Sequence, residues 1–279
     1  MINKRNPVFM LIVVLMLVSC NYPGGNRVPD PTQPLAPTQP PAETSAPATD
    51  AVPLPEERSQ EAIMVLEPGP GSRLTSPFTV RGVADPTFEQ ALVARLVDAS
   101  GSVLVEEPLV IQSPLGERGP FEGQIEFAVS EQTNVFLQVY ATSARDGGIT
   151  HLETVGGGIT LLPDGPQDIV DRDPYPEQIA IFEPQAGQQI SAGLVHVEGF
   201  GLASFEGTLV LELYDAEGIE LGSMPIIVAS PDMGTPGHYS GELSYAITEQ
   251  TPARLVVRDP LPTGNGVNHI TSVEIRLQP

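Results

Sequence analysis

A stretch of fourteen residues occurs twice in this chain and constrains its fold more than any other feature. Phe88–Gly101 reads FEQALVARLVDASG, and Phe205–Gly218, which begins 117 residues later, reads FEGTLVLELYDAEG, with eight of the fourteen positions identical. Shorter matches extend the similarity on both sides at offsets of 116 to 118 residues, and the offset changes where turns are expected, since loops absorb insertions. The flanking matches include Glu67, Pro68 and Gly71 with Glu183, Pro184 and Gly187, and Val139 with Val257. The sequence therefore contains two copies of one domain of about 100 residues, a common domain size.

Each copy consists of short β-like runs separated by turn signals, and no convincing amphipathic helix interrupts them. About seven short strands at this spacing predict a β-sandwich. The sequence therefore predicts an all-β protein with two tandem sandwiches, at residues 61–163 and 177–279, joined by a linker at 164–176. The predicted strands of the first copy are Ala62–Leu66, Phe78–Ala84, Ala91–Val97, Ser102–Glu106, Phe121–Val129, Asn134–Thr142 and Ile149–Leu162.

Comparison of the two copies assigns the faces of one strand, because alternate residues of a strand share a side. Leu137 and Val139 stay apolar in the second copy, which places them in the core. Phe136 and Tyr140 point the other way and are replaced by arginines, so they are predicted to be exposed or at an interface. Two exposed rings on one strand face would suit a sugar or an apolar partner surface, so both are candidate partner-binding residues. The alternative is that a neighbouring loop covers both rings.

Residues 1–19 have the features of a lipoprotein signal peptide. Lys4 and Arg5 precede an uninterrupted apolar run, Val8–Val18, which is too short for an ordinary membrane span. The run ends in Leu-Val-Ser-Cys, which resembles a bacterial lipobox and makes Cys20 the predicted lipid-attachment site. An ordinary secretory signal that happens to end at a cysteine is the alternative.

Residues 20–60 are predicted to form a disordered, proline-rich stalk. Ten of the forty residues from Asn21 to Gln60 are proline, and apolar periodicity is absent. Such a composition cannot bury enough apolar surface to offset the entropy lost on ordering. An extended stalk of this length would hold the sandwiches away from the membrane.

Charge and cysteine content exclude two classes of protein. The formal net charge is −22, and a surface this acidic repels phosphate backbones, which argues against nucleic-acid binding. The single cysteine excludes a disulfide framework within the chain.

No motif in the sequence indicates catalysis, a cofactor or a metal ion. The histidines at 151, 196, 238 and 269 have no close metal-ligand spacing and are interpreted as strand or loop residues. Four aspartates in the linker, at 164, 168, 171 and 173, do not follow the order of a calcium-binding loop and are interpreted as solvated. The sequence contains no nucleophile elbow, zinc-protease motif or phosphate-binding loop.

Several repeated positions carry a resemblance to a known family. They follow the order of an apolar residue with Pro and Gly, a second Gly, Phe-Glu, Asp-x-x-Gly, and an aromatic residue two before a Gly. This pattern resembles the immunoglobulin-like domain of bacterial spore-germination and cell-envelope proteins. The resemblance implies an immunoglobulin-like sandwich on an exported protein, and that family has no known catalytic residues to carry over. The residues are Val65, Pro68, Gly71, Gly82, Phe88, Glu89, Asp98, Gly101, Phe121 and Gly123, and then Ile181, Pro184, Gly187, Gly199, Phe205, Glu206, Asp215, Gly218, Tyr239 and Gly241.

These features predict a non-catalytic, lipid-anchored extracytoplasmic protein of the bacterial envelope. Two immunoglobulin-like domains would act as a binding module for a protein or glycan partner. A structural surface spacer without a specific ligand is the first alternative, and a hydrolase is the second. Exposed aromatic residues would favour binding, whereas a cleft with converging carboxylates would favour an enzyme.

The lipid anchor gives a direct prediction. An acyl chain contributes about 0.8 kcal/mol per buried CH₂, so a lipidated Cys20 should hold the protein in the membrane fraction. The change Cys20→Ser should shift the protein out of that fraction or leave its signal peptide uncleaved. Fractionation combined with mass spectrometry of the N-terminus checks this, and an unmodified mature N-terminus at another residue would contradict it.

Overall fold

A computed structural model describes residues 59–232, 234–261 and 266–279. The predicted signal peptide, Cys20 and the stalk up to residue 58 lie outside these residues. Within the described ranges, no helix has the length and apolar character needed to cross a membrane.

The described residues form an all-β structure, as predicted. A short 3-10 turn, Phe88–Gln90, interrupts the strands of the first copy. The strands of the first copy are β1 (Ile63–Glu67), β2 (Arg73–Leu74), β3 (Phe78–Ala84), β4 (Ala91–Asp98), β5 (Val103–Val110), β6 (Gly119–Ile125), β7 (Thr133–Thr142) and β8 (Ile149–Leu161). Those of the second copy are β9 (Ile179–Glu183), β10 (Gln189–Ile190), β11 (Leu194–Gly201), β12 (Thr208–Tyr214), β13 (Glu220–Ile227), β14 (Gly237–Ser244), β15 (Thr251–Pro260) and β16 (Val267–Leu277).

Each copy forms a sandwich around its own hydrophobic core. In the first, the sheet β1-β3-β6 faces the strands β5-β4-β7-β8, and in the second, β14-β11-β9 faces β13-β12-β15-β16. Leu137 and Val139 are fully buried in the first core, and Leu255 and Val257 are fully buried in the second. The inward faces assigned from the sequence are therefore confirmed.

Close packing explains one repeated glycine and the aromatic residue that accompanies it. Gly82 pairs with Phe121 between β3 and β6, and a Cβ atom on Gly82 would lie 2.4 Å from the Phe121 ring. Gly199 pairs with Tyr239 in the second sandwich, where a Cβ atom would lie 2.2 Å from the Tyr239 ring. Because the ring lies directly over the strand opposite, only glycine fits at this position in either copy.

The two sandwiches share one continuous sheet, which the sequence did not predict. Strand β8 pairs with β16 in antiparallel fashion, and Leu152 lies opposite Ile270. These two residues are equivalent in the two copies, at an offset of 118. A second bridge joins Gln60 to Pro176, which are equivalent at an offset of 116. Equivalent residues face each other only across a two-fold axis, so the junction has the symmetry of an isologous dimer interface within one chain.

The outer face of the joined sheet carries a third hydrophobic cluster. Tyr140 and Leu152 of the first sandwich pack there against Val256 and Ile270 of the second. The cluster extends the apolar packing across the boundary between the two copies.

A buried ion pair also crosses this boundary. Arg254 in β15 donates two hydrogen bonds of 2.7 Å to Asp146, which lies in the turn between β7 and β8. Both side chains are almost fully buried. The hydrogen bonds from Arg254 lower the pKa of Asp146 to about 2, although burial opposes the shift.

Residues 164–176 pack along the first sandwich. The backbones of Arg73 and Asp168 exchange two hydrogen bonds of 2.8 Å, and the amide of Gly69 donates to the carbonyl of Val170. The side chains of the four aspartates in this segment remain exposed.

The Asp146–Arg254 pair gives a prediction for stability and its pH dependence. The change Asp146→Asn leaves the buried guanidinium of Arg254 with only the partly exposed Glu274, 4.0 Å away, as a counter-charge, so it should lower the free energy of unfolding by about 3 kcal/mol at pH 7. The folded-state pKa of Asp146 is depressed to about 2, so its contribution is present above its unfolded pKa and is lost as pH falls from about 4 toward 2.

Urea unfolding of both proteins at pH 7 and at pH 2.5 checks this, with the exposed Asp164→Asn as control. The difference in free energy of unfolding between the wild type and Asp146→Asn should be smaller at pH 2.5 than at pH 7. Equal free energies of unfolding for the wild type and Asp146→Asn at pH 7 would contradict a stabilising role of this ion pair at the junction.

Candidate functional site at the junction of the two sandwiches

Four ionisable side chains meet where the sandwiches join. One ligand atom from each of Glu61, His151, Glu177 and His269 lies within 4.8 Å of the others. Two of the residues come from each sandwich, and they form two equivalent pairs. Glu61 and Glu177 are related by the offset of 116, and His151 and His269 by the offset of 118.

The symmetry of the junction explains how these residues come together. Glu61 and Glu177 lie just before the equivalent strands β1 and β9, beside the Gln60–Pro176 bridge. His151 in β8 and His269 in β16 directly precede Leu152 and Ile270, the equivalent residues that pair across the junction. Because alternate residues point to opposite faces, the histidines lie on the face opposite to the apolar cluster.

Each glutamate binds across the boundary between the copies. Glu61 accepts a hydrogen bond of 2.9 Å from the amide of Gln178 on one carboxylate oxygen, Oε2. Glu177 likewise accepts a hydrogen bond of 2.9 Å from the amide of Ala62 on its own Oε2. The other oxygen of Glu61 lies 2.5 Å from Nε2 of His151. The second oxygen of Glu177 and Nε2 of His269 are buried, and neither has a hydrogen-bond partner among the described residues.

His269 is held in place by its other ring nitrogen. Its Nδ1 lies 3.2 Å from Oε2 of Glu153. The other oxygen of Glu153, Oε1, accepts hydrogen bonds from Arg172 and from the hydroxyl of Tyr175. Burial beside this carboxylate raises the pKa of Tyr175 well above its ordinary value. The ring of His269 is therefore oriented by a fixed chain of polar groups.

The carboxylates dominate the electrostatics of the cluster. Complete burial lowers the pKa of His269, but the negative charge of Glu61 and polar interactions with Glu153 and Glu177 raise it by more. The net effect places the pKa of His269 well above its ordinary value. The centre of the cluster is therefore strongly attractive to positive charge.

A groove of about 560 Å³ opens beside the cluster and is built from both sandwiches. His151 and Glu177 form part of its wall, and the 60% exposed ring of Phe88 lies on it as well. The other polar groups that line it are serine and threonine hydroxyls and two further carboxylates, and none of the described lining residues is a lysine or an arginine. The groove therefore presents many hydrogen-bond acceptors, hydroxyl groups and one exposed aromatic ring.

The predicted partner-binding residues do not form an exposed pair. Tyr140 is only 7% exposed, lies in the apolar cluster of the junction and donates a hydrogen bond to Glu106. Phe136 is half-buried. The two rings therefore do not make an open platform, because the second sandwich covers Tyr140. Partner binding at Phe136 and Tyr140 stays a prediction, and Cys20 lies outside the described residues.

The sequence analysis missed both the cluster and the exposed rings. Phe88 and its equivalent Phe205 are 60% and 43% exposed, whereas they served only to align the copies. The spacing of the histidines along the chain is long, so it does not show that two of them lie close together in the fold. Extending the offset of 118 would have shown that His151 and His269 are equivalent, which is the signal that was available.

Comparison with known proteins identifies the first copy. Residues 62–148 match the family model described as the immunoglobulin-like domain of bacterial spore germination. No curated protein matches the chain. Among solved structures, red sea bream transglutaminase has 10% identity and a TM-score of 0.25 over 77% of this chain and 31% of its own. Dimeric latent PorU from Porphyromonas gingivalis has 12% identity and a TM-score of 0.25 over 78% of this chain and 24% of its own.

The chain spans less than a third of either protein, and at these scores neither likeness bears on fold or function. Residues 62–148 thus form an immunoglobulin-like domain of the bacterial spore-germination type, as the repeated motifs predicted.

Proposed function

We propose that this protein is a non-catalytic, lipid-anchored binding module of the bacterial cell envelope, and that the groove between its sandwiches binds a neutral glycan strand. The observation that carries the proposal is the groove itself, with the ring of Phe88 exposed on its wall. An immunoglobulin-like domain of the spore-germination type supports a binding or structural module.

The chemistry of the groove favours a glycan over other ligands. Hydroxyl and carboxylate groups suit the many hydroxyls of a sugar, and an exposed aromatic ring offers a flat apolar face. The net charge of −22, together with a lining that has no lysine or arginine among the residues that the structure describes, disfavours an anionic polymer. A protein partner is the competing outcome of the test below.

The anchor and the stalk complete the proposal. Lipidation at Cys20 and an extended proline-rich segment of residues 20–60 would place the groove outside the membrane and within reach of the cell wall. A surface spacer without a ligand remains the alternative, and it predicts no retention on any envelope component. A hydrolase would use the converging carboxylates, but these are held by backbone amides and histidines.

The groove gives a prediction with a matched control. Phe88→Ser removes the exposed ring on the groove wall, and Phe205→Ser removes the equivalent ring, which does not line the groove. Because a central aromatic contact contributes about 1.4 kcal/mol or more, Phe88→Ser should weaken binding roughly tenfold. Phe205→Ser should bind like the wild type, and both should unfold like it, since both rings are exposed.

Co-sedimentation with purified peptidoglycan sacculi measures the effect. If both variants are retained on sacculi equally well, the binding surface lies outside the groove. If the protein is not retained on sacculi but captures one envelope protein, the groove binds a protein partner and not a glycan. If the protein is neither retained on sacculi nor captures an envelope protein, the alternative of a surface spacer without a ligand is supported.

A further inference from the structure

We propose that Glu61, His151, Glu177 and His269 bind one divalent cation of the zinc class, and that this ion links the two sandwiches. The proposal concerns the interior of the junction and does not depend on any ligand in the groove. It rests on four observations, namely the unpartnered atoms, the charge balance, the support of His269 and the composition of the ligand set.

The unpartnered atoms point into the centre of the cluster. Nε2 of His269, on a residue with no exposed surface, lies 3.6 Å from Oε1 of Glu177 and 3.9 Å from Oε2 of Glu61. These separations are too long for hydrogen bonds, and an unpaired buried polar group is unfavourable. Ligand atoms bound to one tetrahedral zinc at about 2.0–2.2 Å lie roughly 3.4 Å apart. The four Glu–His separations, from 2.5 to 4.0 Å, lie on both sides of that value, and all four ligand atoms lie within 4.8 Å of one another.

The negative charges of the cluster need either a bound cation or protonated histidines to balance them. The carboxylates of Glu61, Glu153 and Glu177 are almost fully buried, and Arg172 is the only arginine or lysine among the described residues that pairs with any of them. With neutral histidines, two negative charges remain in the protein interior. Buried charges require pairing or metal coordination, and one divalent cation supplies the missing charge. Protonation of both histidines is the competing way to supply it.

The surroundings of His269 match those of a metal-bound histidine. A histidine that binds a metal through one nitrogen typically donates its other N–H to a carboxylate, which fixes the ring and its tautomer. Nδ1 of His269 has this relation to Glu153, and Glu153 is itself held by Arg172 and Tyr175. In the neutral tautomer with the proton on Nδ1, which metal binding requires, the lone pair of Nε2 is directed toward the two glutamates.

The ligand types select the class of metal. Two imidazoles and two carboxylates suit zinc and neighbouring transition metals, whereas calcium and magnesium favour sites made of oxygen alone. Four protein ligands complete a tetrahedral shell, which is typical of a structural zinc site and leaves no position for a reactive water. Each copy supplies one glutamate and one histidine, so the ion would hold the copies together on their two-fold axis.

Zinc titration of the full-length protein tests the proposal. The protein is extracted in detergent, stripped with a chelator and titrated in competition with a chromophoric chelator, with calcium and magnesium as comparison ions. We expect one zinc per chain with a Kd of about 1 μM or tighter. We also expect a Tm higher by roughly 5–10 °C at about a hundredfold excess over Kd. Zinc uptake below one equivalent, or equal binding of calcium, would overturn the proposal.

Variants locate the ion. His151→Gln and Glu177→Gln should each weaken zinc binding by at least about 100-fold, which is the upper end of the effect of losing a supporting group. The control is His196→Gln, because His196 lies 3.2 Å from Glu198 on an exposed face and does not belong to the cluster of four. His196→Gln should bind zinc like the wild type. Unchanged affinity in both cluster variants would place the zinc elsewhere and overturn the proposal.

A spectroscopic measurement keeps the test independent of how well the variants fold. Cobalt bound to the wild-type protein should give the intense visible absorption of a tetrahedral site with nitrogen and oxygen ligands. A weak octahedral spectrum, or none, would mean that the four groups do not form the shell. Protonated histidines would then supply the missing charge.

Discussion

The pairing of β8 with β16 determines how the rest of the molecule is arranged. It places Leu152 opposite Ile270, and these are equivalent residues of the two copies. A two-fold relation follows from that single register, because a shift by one residue would bring residues that are not equivalent together and turn their side chains to the other face. The Gln60–Pro176 bridge lies on the same axis and fixes the entry of both sandwiches.

A two-fold axis inside one chain brings two equivalent copies of each nearby residue close together. One glutamate and one histidine in each copy become a cluster of four, and one apolar strand face becomes a shared hydrophobic cluster. Because the chain is covalently continuous, the two copies have also diverged. Glu153 supports His269, whereas the equivalent position beside His151 is Thr271. The two sides of the junction therefore differ in chemistry, and only one carries the Glu153 support.

Local features of the fold could be predicted from the sequence, and the junction could not. Asp98 lies between two strands that the sequence predicted, Ala91–Val97 and Ser102–Glu106. Its carboxylate accepts hydrogen bonds from the amides of Ser100 and Ser102, and these contacts are determined by local sequence. The contact that buries Tyr140 comes from the other copy, more than 100 residues away, and strand alternation shows only that its ring points away from the core. Pairing between sheet edges leaves no local pattern, so the repeat offset was the one sequence signal for His151 and His269.

Hydrogen exchange at the junction tests the central claim most directly, which is that the two sandwiches form one continuous sheet. If β8 and β16 are paired, the amides of residues 151–154 and 268–271 that point toward the junction, and not toward β7 or β15, should be protected nearly as strongly as those of Leu137 and Leu255 in the cores. Opening of the junction would then require much of the free energy of global unfolding. Exchange at the rate of fraying edges, with both cores still protected, would show two sandwiches on a flexible hinge and would contradict the account.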